Sequence, residues 1–412
     1  MATIPLFATG IARGGTSLIG RMIDAHPDAA VAIDAFLPLF RASRNRMIRA
    51  CPDPRVSSFD FSLPLQDGHF TDSRRAHLDG LLKGSMSAHF PVEELDDLKE
   101  RLHSRALDES ADLAPMIDAL DGETIEELIA CSLGLVVKAR RPNAKVAGFK
   151  DLWITDQIPA LSRAFPEARF LVILRDPRAI IASILGYLEK DPTQCAHVVS
   201  VVRHWRKMVA CTNAFSADPA IASRLMVMRY EDMIADPEKQ SRRLCTFLEL
   251  PFATEMTDVA GFQDVVKGGS WQGNSTFDDK LDTISSAPVE RWRKTLAGVA
   301  VAAVEFCCGP DMEMLGYEGV NDPVALAADS RVLDFIIQDG QREASWRSDF
   351  GDPLIDYGFE AARRQMLFSS KTFDHVLVQR AFLFDEYFAA LRDHCNGSIS
   401  SSPLAMQTGA HS

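Results

Sequence analysis

The feature that most constrains this fold is a short apolar run that meets a glycine-rich turn and re-emerges as a helix near the N-terminus. Ile4 to Ala8 is continuously apolar and leads into Gly10. Such a run, without polar alternation, suits a strand buried in a parallel sheet. The loop reads Thr9-Gly10-Ile11-Ala12-Arg13-Gly14-Gly15-Thr16-Ser17. Beyond it, Leu18, Ile19, Met22 and Ile23 share one helical face. Asp24-Ala25-His26-Pro27 ends that helix, because proline disfavours helical geometry at the preceding residue. Ala29 to Ile33 reads as a second short strand. Small residues between strand and helix let backbone N–H groups close around an anion at the helix N-terminus. Thr16 and Ser17 add hydroxyl donors there. A nucleoside-triphosphate loop would read G-x-x-x-x-G-K-S/T. Gly10 and Gly15 keep that spacing, but Thr16 stands where the lysine belongs and the basic residue is Arg13. The grip on a β,γ-phosphate is missing. Alone, the turn also fits a plain strand-to-helix connection.

Strand character returns at Lys145 to Phe149, Arg169 to Leu174 and Leu225 to Met228. A helical pattern follows each one, over 155–165, 178–188 and 237–248. Alternation of this kind predicts an α/β fold, P-loop-like and three-layered, with a central parallel sheet and right-handed crossovers. Residues 37–143 predict a large helical insert. Within it, the basic patch Arg41, Arg44, Arg46, Arg49 and the acidic stretch Glu93-Glu94-Leu95-Asp96-Asp97 read as solvated helix faces. Residues 288–306 read as a further helix. The expected organisation is a domain over 1–320, a helical C-terminal extension over 321–395, and a disordered Ser/Gly/Pro-rich tail over 396–412.

A net charge of −13 over 412 residues argues against a nucleic-acid partner, which wants a basic face. An acidic body also needs local donors to catch any anionic ligand. The eight cysteines include no C-x-x-C, and no Cys/His cluster has zinc spacing, so reduced, buried thiols and no metal are expected. MATIPLFATG lacks the basic and apolar regions of a signal peptide. No stretch approaches the ~20 apolar residues of a membrane span. A cytoplasmic location is the default expectation.

A second anion site is expected at Arg169-Phe170-Leu171-Val172-Ile173-Leu174-Arg175-Asp176-Pro177-Arg178. The strand delivers Arg175 at its C-terminal end, where ligands of open parallel sheets gather. A helix from Pro177 carries Ser183 on its second turn. Arg175 offers a forked cation and Ser183 a hydroxyl. The alternative is that Arg175 pairs with Asp176 or Glu167.

Together these segments resemble the sulfotransferases. Gly10 to Leu18 is similar to their 5′-phosphosulfate loop, with the cofactor-binding candidates Arg13, Gly14, Gly15, Thr16 and Ser17. Arg175 and Ser183, eight residues apart, are similar to their 3′-phosphate site. The resemblance is closest to the tyrosylprotein sulfotransferase branch and related bacterial sulfotransferases, whose loop Pro-Arg-Ser-Gly-Thr-Thr-Leu precedes a helix ending Asp-Ala-His-Pro. It continues at Lys150-Asp151, Leu161-Ser162-Arg163-Ala164-Phe165-Pro166 and Arg229-Tyr230-Glu231-Asp232, and covers residues 1–320. Gly14 departs from the family's usual serine.

The resemblance implies transfer of a sulfonate from 3′-phosphoadenosine 5′-phosphosulfate to a hydroxyl acceptor without a metal. The acceptor is left open among small molecule, lipid, saccharide and tyrosine. Oligomeric state is also left open. Arg13 and Lys150 are the implied cations near the leaving oxygen, although a strand-end surface lysine is the plainer reading of Lys150. In this branch the general base is a carboxylate soon after the first helix. Counting from Arg13 without gaps reaches Asp34. A nine-residue helix running out ~13 Å and a strand returning ~17–20 Å bring Asp34 back to the loop's edge. The family usually has glutamate there, so the shorter aspartate implies a deeper acceptor or another base. A strand-end helix cap is the plainer reading of Asp34. His26 reads as structural, and His204 as a core or helix-surface residue. Tyr230 and Ser275 are implied donor contacts, and Arg291 and Lys294 further positive charge. A P-loop kinase or hydrolase and a non-catalytic nucleotide-binding protein are the rival readings.

Overall fold

The computed structural model describes residues 3–58, 72–152, 154–190, 196–273, 284–341 and 353–397. The chain divides into two compact units. One comprises 1–56, 78–173 and 220–286, and the other 57–77, 174–219 and 287–412.

The first unit is built on a five-stranded sheet: β1 (Ile4–Gly10), β2 (Ala29–Ile33), β3 (Val146–Lys150), β4 (Arg169–Leu174) and β5 (Leu225–Arg229), in the order β2-β3-β1-β4-β5. β1 pairs in parallel with β3 and β4, and β2 with β3. The α/β class, the parallel sheet and its flanking helices are as the alternating pattern predicts. Every residue of β2 and β3 is buried, which is why these strands read as apolar runs without alternation. Phe7 sits in register with Phe149 on one side and Phe170 on the other. Its ring lies 6.0 and 5.7 Å from theirs, and Phe40 and Phe165 complete the cluster. Aromatic pairs at such distances contribute beyond the area they bury.

Helix α1 (Thr16–Asp24) buries the predicted stripe Leu18, Ile19, Met22 and Ile23. Asp24 accepts the Val31 N–H at 2.8 Å and pairs with Arg140 and Arg141, tying the helix end to β2. His26 is structural, as expected: its Nδ1 accepts the Asp28 N–H at 3.0 Å, so its Nε2–H donates to Pro251 O at 2.8 Å. The insert supplies α2 (Leu37–Arg49), α3 (Val92–Glu109) and α4 (Ile125–Arg140), the last opened by a Thr124/Glu127 capping box. The segment predicted as one helix over 155–165 begins as a 3₁₀ turn, Thr155–Gln157, before α5 (Ile158–Ala164).

The second unit is helical: α6 (Pro177–Leu188), α7 (Val198–Ala217), α8 (Gly298–Met314), α9 (Ser330–Gln341), α10 (Pro353–Leu367), α11 (His375–Phe382) and α12 (Asp385–Cys395). α8 packs against α7, α9, α10 and α12. The single helix expected over 288–306 is instead two short turns, Ala287–Glu290 and Trp292–Thr295, followed by α8. Leu296 and Ala297 adopt extended ψ angles of 131° and 139°, and glycine at 298 favours the break over propagation.

Candidate active site

Four chain segments meet at the C-terminal edge of the sheet in the first unit: the loop after β1, the residue after β2, the end of β3 and the residue after β5. The loop after β1 turns through two left-handed residues, Arg13 at φ 64° and Gly15 at φ 82°. Alternating backbone handedness of this kind aims successive N–H groups into one concavity. Gly15 is the N-cap of α1 and accepts the Ile19 N–H at 3.3 Å. No side chain caps α1, and its first turn holds no acidic residue. The helix therefore keeps its anion-attracting end for a ligand. The ring of Tyr230, which follows β5, lies on the loop so closely that a Cβ on Gly15 would stand 2.1 Å from its Cδ2. Tyr230 and the loop, far apart in sequence, are thus brought together.

Asp34 and Lys150 meet beside this loop. Ile33 and Lys150 are register partners, so the first residue after β2 lies next to the last residue of β3. The Asp34 N–H donates to Lys150 O at 2.7 Å. The Lys150 ammonium donates to Asp34 Oδ2 at 2.5 Å and to Ser17 Oγ at 3.3 Å. Lys150 is 1% exposed, which corrects the plainer reading of a strand-end surface lysine. Gly20 of α1 makes room for it, since a Cβ there would lie 3.1 Å from Lys150 Cγ. Asp34 also adopts a left-handed backbone, φ 56°, a strained state for a non-glycine residue that tends to mark functional sites. Its Oδ1 is buried and has no hydrogen-bond partner among the described residues. Asp34 therefore caps no helix with that oxygen.

Three neighbours escaped the sequence reading. Arg105 of α3 donates from Nε to Asp34 O at 2.9 Å and pairs with Glu109 at 3.1 Å. Burial pushes the Glu109 carboxyl above the usual carboxylate range, and the charge of Asp34 adds to this while Arg105 opposes it. Asp151 is fully buried. Its burial, then the charge of Asp34, pushes its carboxyl well above the ordinary range, which favours the protonated form. Only Asp151 left a trace in the sequence, as the second half of Lys150-Asp151.

In the second unit, Arg175 follows directly on β4. Its Nη2 donates to Pro288 O at 2.7 Å, and its carbonyl accepts the Trp205 indole N–H at 2.9 Å. Asp176 caps α6 and is engaged by Arg178, whose guanidinium also pairs with Glu305 and stacks 4.1 Å over Trp292. Of the two carboxylates considered for Arg175, Asp176 and Glu167, the first is thus engaged by Arg178. Ser183 is buried on α6. His204 is buried in α7, and burial followed by the charge of Lys207 pushes its imidazole well below its ordinary value. Lys294 is exposed and Arg291 half-buried. Ser275 lies outside the described residues.

Part of the basic patch departs from a solvated face. Arg44 is buried against Asn45, and Arg46 pairs with Glu94 at 2.6 Å, while Glu93, Asp96 and Asp97 are exposed as expected. No group that could hold a metal ion occurs among the described residues, and none of their helices is long and apolar enough to cross a membrane.

The sequence model of the sulfotransferase family matches residues 5–254. Carbohydrate sulfotransferase 5 of Mus musculus is 25% identical over 209 residues, covering 46% of this chain and 51% of that protein. A putative protein-tyrosine sulfotransferase of Caenorhabditis elegans is 29% identical over 115 residues, covering 26% and 41%. The chain thus spans about half the length of the curated relatives it matches. Among solved structures, the sulfotransferase domain from the curacin biosynthetic pathway aligns with a TM-score of 0.40 at 17% identity, over 72% of this chain and 93% of that one.

Proposed function

Because the chain belongs to the sulfotransferase family, we propose that it transfers a sulfonate from 3′-phosphoadenosine 5′-phosphosulfate to a hydroxyl acceptor. The observation that carries this reading is the Asp34–Lys150–Ser17 cluster set against an uncapped helix N-terminus. A carboxylate with one buried oxygen still open, a buried ammonium and an anion cradle are the parts that sulfonate transfer needs.

In this reading the loop N–H groups, Arg13 and the hydroxyls of Thr16 and Ser17 hold the donor's 5′ end. Gly14 and Gly15 keep the backbone close to it, and Tyr230 backs the loop. Arg175 and Ser183 take the 3′-phosphate, and Ser275 is a further donor contact. The acceptor oxygen attacks sulfur in line as the bond from sulfur to the bridging oxygen breaks. The acceptor's proton goes to Asp34 Oδ1, and the charge developing on the leaving 5′-phosphate is met by Arg13 and Lys150. The transferred group carries less charge than a terminal phosphoryl group, so these cations suffice in this mechanism. Residues 1–320 are taken as the transferase region and 321–395 as an appended helical segment.

The direct test is transfer of labelled sulfonate to a pool of hydroxyl compounds. Tight binding of ATP with Mg²⁺ in preference to adenosine 3′,5′-bisphosphate would replace this reading by a P-loop kinase. Arg175→Ala is expected to weaken bisphosphate binding by about 1.5–3 kcal/mol, the worth of a charge-assisted hydrogen bond. Unchanged affinity in calorimetry would remove Arg175 from the donor site. Gly15→Ala places a methyl against the Tyr230 ring at a left-handed φ. It is expected to cut bisphosphate affinity by roughly ten-fold, from the backbone cost alone, and wild-type affinity would show that the loop does not hold the donor.

A further inference from the structure

Asp34 holds a backbone state that it would leave if released. Its φ of 56° lies in the left-handed region, which residues with a Cβ avoid. Such a state persists only where its surroundings over-determine it. Three hydrogen bonds do so here. The Asp34 N–H donates to Lys150 O at 2.7 Å, within the sheet. The Asp34 carbonyl accepts from Arg105 Nε at 2.9 Å. The preceding carbonyl, of Ile33, accepts from Ser110 Oγ at 3.1 Å. Those last two donors stand at the end of α3, 71 and 77 residues further along the chain than their acceptors.

Helix α3 is built to hold those donors still. Leu95, Leu98, Leu102 and Ala106 form one buried stripe that seats the helix on its neighbours. Glu109, one turn after Arg105, takes Nη2 of the guanidinium at 3.1 Å and leaves Nε for the Asp34 carbonyl. Ser110, 0% exposed, is the residue at which the helix ends. The clamp decides where the carboxylate points. In the left-handed state Oδ2 meets the Lys150 ammonium at 2.5 Å, and Oδ1 stays buried without a partner among the described residues. Rotation of Asp34 into the extended or right-handed region would swing its Cα–Cβ bond and carry both oxygens away from these places.

We propose that Arg105, seconded by Ser110, is a positioning residue for the general base: it clamps the Ile33–Asp34 backbone and thereby aims the Asp34 carboxylate, and it touches neither donor nor acceptor. This deepens the transferase reading and rests on it for the role of Asp34. The base is then held from two sides, by β3 through Lys150 and by the insert through the end of α3.

The clamp is read first without turnover. In a crystal structure of Arg105→Met, Asp34 is expected to leave the left-handed region. Its amide is expected to exchange with deuterium roughly ten-fold faster or more, the worth of one lost hydrogen bond. Arg105→Lys, which keeps the charge and a donor, is expected to restore both in large part. A wild-type φ with wild-type exchange in Arg105→Met would overturn the clamp. Turnover is then measured with labelled donor and the acceptor that the hydroxyl-compound pool yields. Arg105→Met is expected to lower kcat roughly ten- to hundred-fold, the scale of a misplaced catalytic group. Acceptor KM and bisphosphate affinity are expected to stay as in the wild type, and Arg105→Lys to recover turnover. In an Asp34→Asn background the same substitution is expected to cost nothing more, since the group it aims is gone. A raised acceptor KM at unchanged kcat, or an equal loss in both backgrounds, would overturn the positioning role. Should Arg105→Met not fold, Ser110→Ala removes the second pin and no charge, and the same comparisons decide. Absence of transfer by the wild type alongside a released Asp34 in the variant would sink the transferase reading and leave the clamp standing.

Discussion

Asp34→Asn is expected to lower turnover about a hundred-fold or more and to leave bisphosphate affinity unchanged, because general-base catalysis contributes on that scale. The substitution keeps shape and an oxygen that can accept from Lys150, yet removes the group that takes the acceptor's proton. A purely structural role for Asp34 would lower stability and donor affinity as well. A second readout separates the two: the acidic limb of the kcat/KM profile, if it reports the base, disappears in the asparagine variant. Near-normal turnover would move the base elsewhere. Glu109 would then be the first group to examine, since it shares the Arg105 guanidinium that touches Asp34.

The second large effect is expected in the helical unit. Arg203, 0% exposed, donates from Nε to Glu360 at 2.6 Å and from Nη1 to Asp356 at 2.8 Å. Arg206 joins Glu360 and donates to Cys307 O at 2.6 Å. Arg363 holds Asp311, which also accepts the Tyr387 hydroxyl at 2.7 Å. Removing one partner of a buried network strands charge with neither water nor counter-ion, at a cost of about 3–5 kcal/mol. Arg203→Met is therefore expected to lower the melting temperature by roughly 6–20 °C for a unit of this size. A melting temperature equal to the wild type in calorimetry would show that the network carries no net stability. Burial pushes the Glu360 carboxyl up, but Arg206 and Arg203 outweigh it and hold it at about 2. Its contribution is therefore full above the ordinary carboxylate value and is lost as pH falls toward 2.

The contrast between the two regions explains what the sequence could disclose. The strands were legible because they are buried on both sides and so are written as unbroken apolar runs; Ala29–Ile33 and Arg169–Leu174 were bounded to the residue. The loop announced itself through glycine at 15, where a left-handed backbone and an aromatic ring leave no room for a side chain. Asp34 was reachable by the arithmetic of one helix out and one strand back. Helix α7 was not, because it is buried nearly all round and has no polar face to give a period. Its sequence, with Arg203, His204, Arg206 and Lys207, looks like a solvated segment until Asp356 and Glu360 arrive from more than 150 residues away. Arg105 was silent for the same reason: its partner is the Asp34 carbonyl, 71 residues earlier, and a backbone oxygen leaves no mark in a sequence. The basic patch on α2 misled, since charge on a helix surface reads alike whether it faces solvent, asparagine or other cations.

The side-by-side ending of β2 and β3 has a consequence for how such a protein can diversify. The nearness of Asp34 and Lys150 is set by a parallel ladder whose neighbouring residues cannot slip past one another without moving every buried side chain to the opposite face of the sheet. The helices of the insert, α2, α3 and α4, are held by packing that can be redrawn one residue at a time. In the proposed reading, the reacting pair is thereby fixed on the part of the molecule least free to drift. The insert helices beside it belong to the part most free to change.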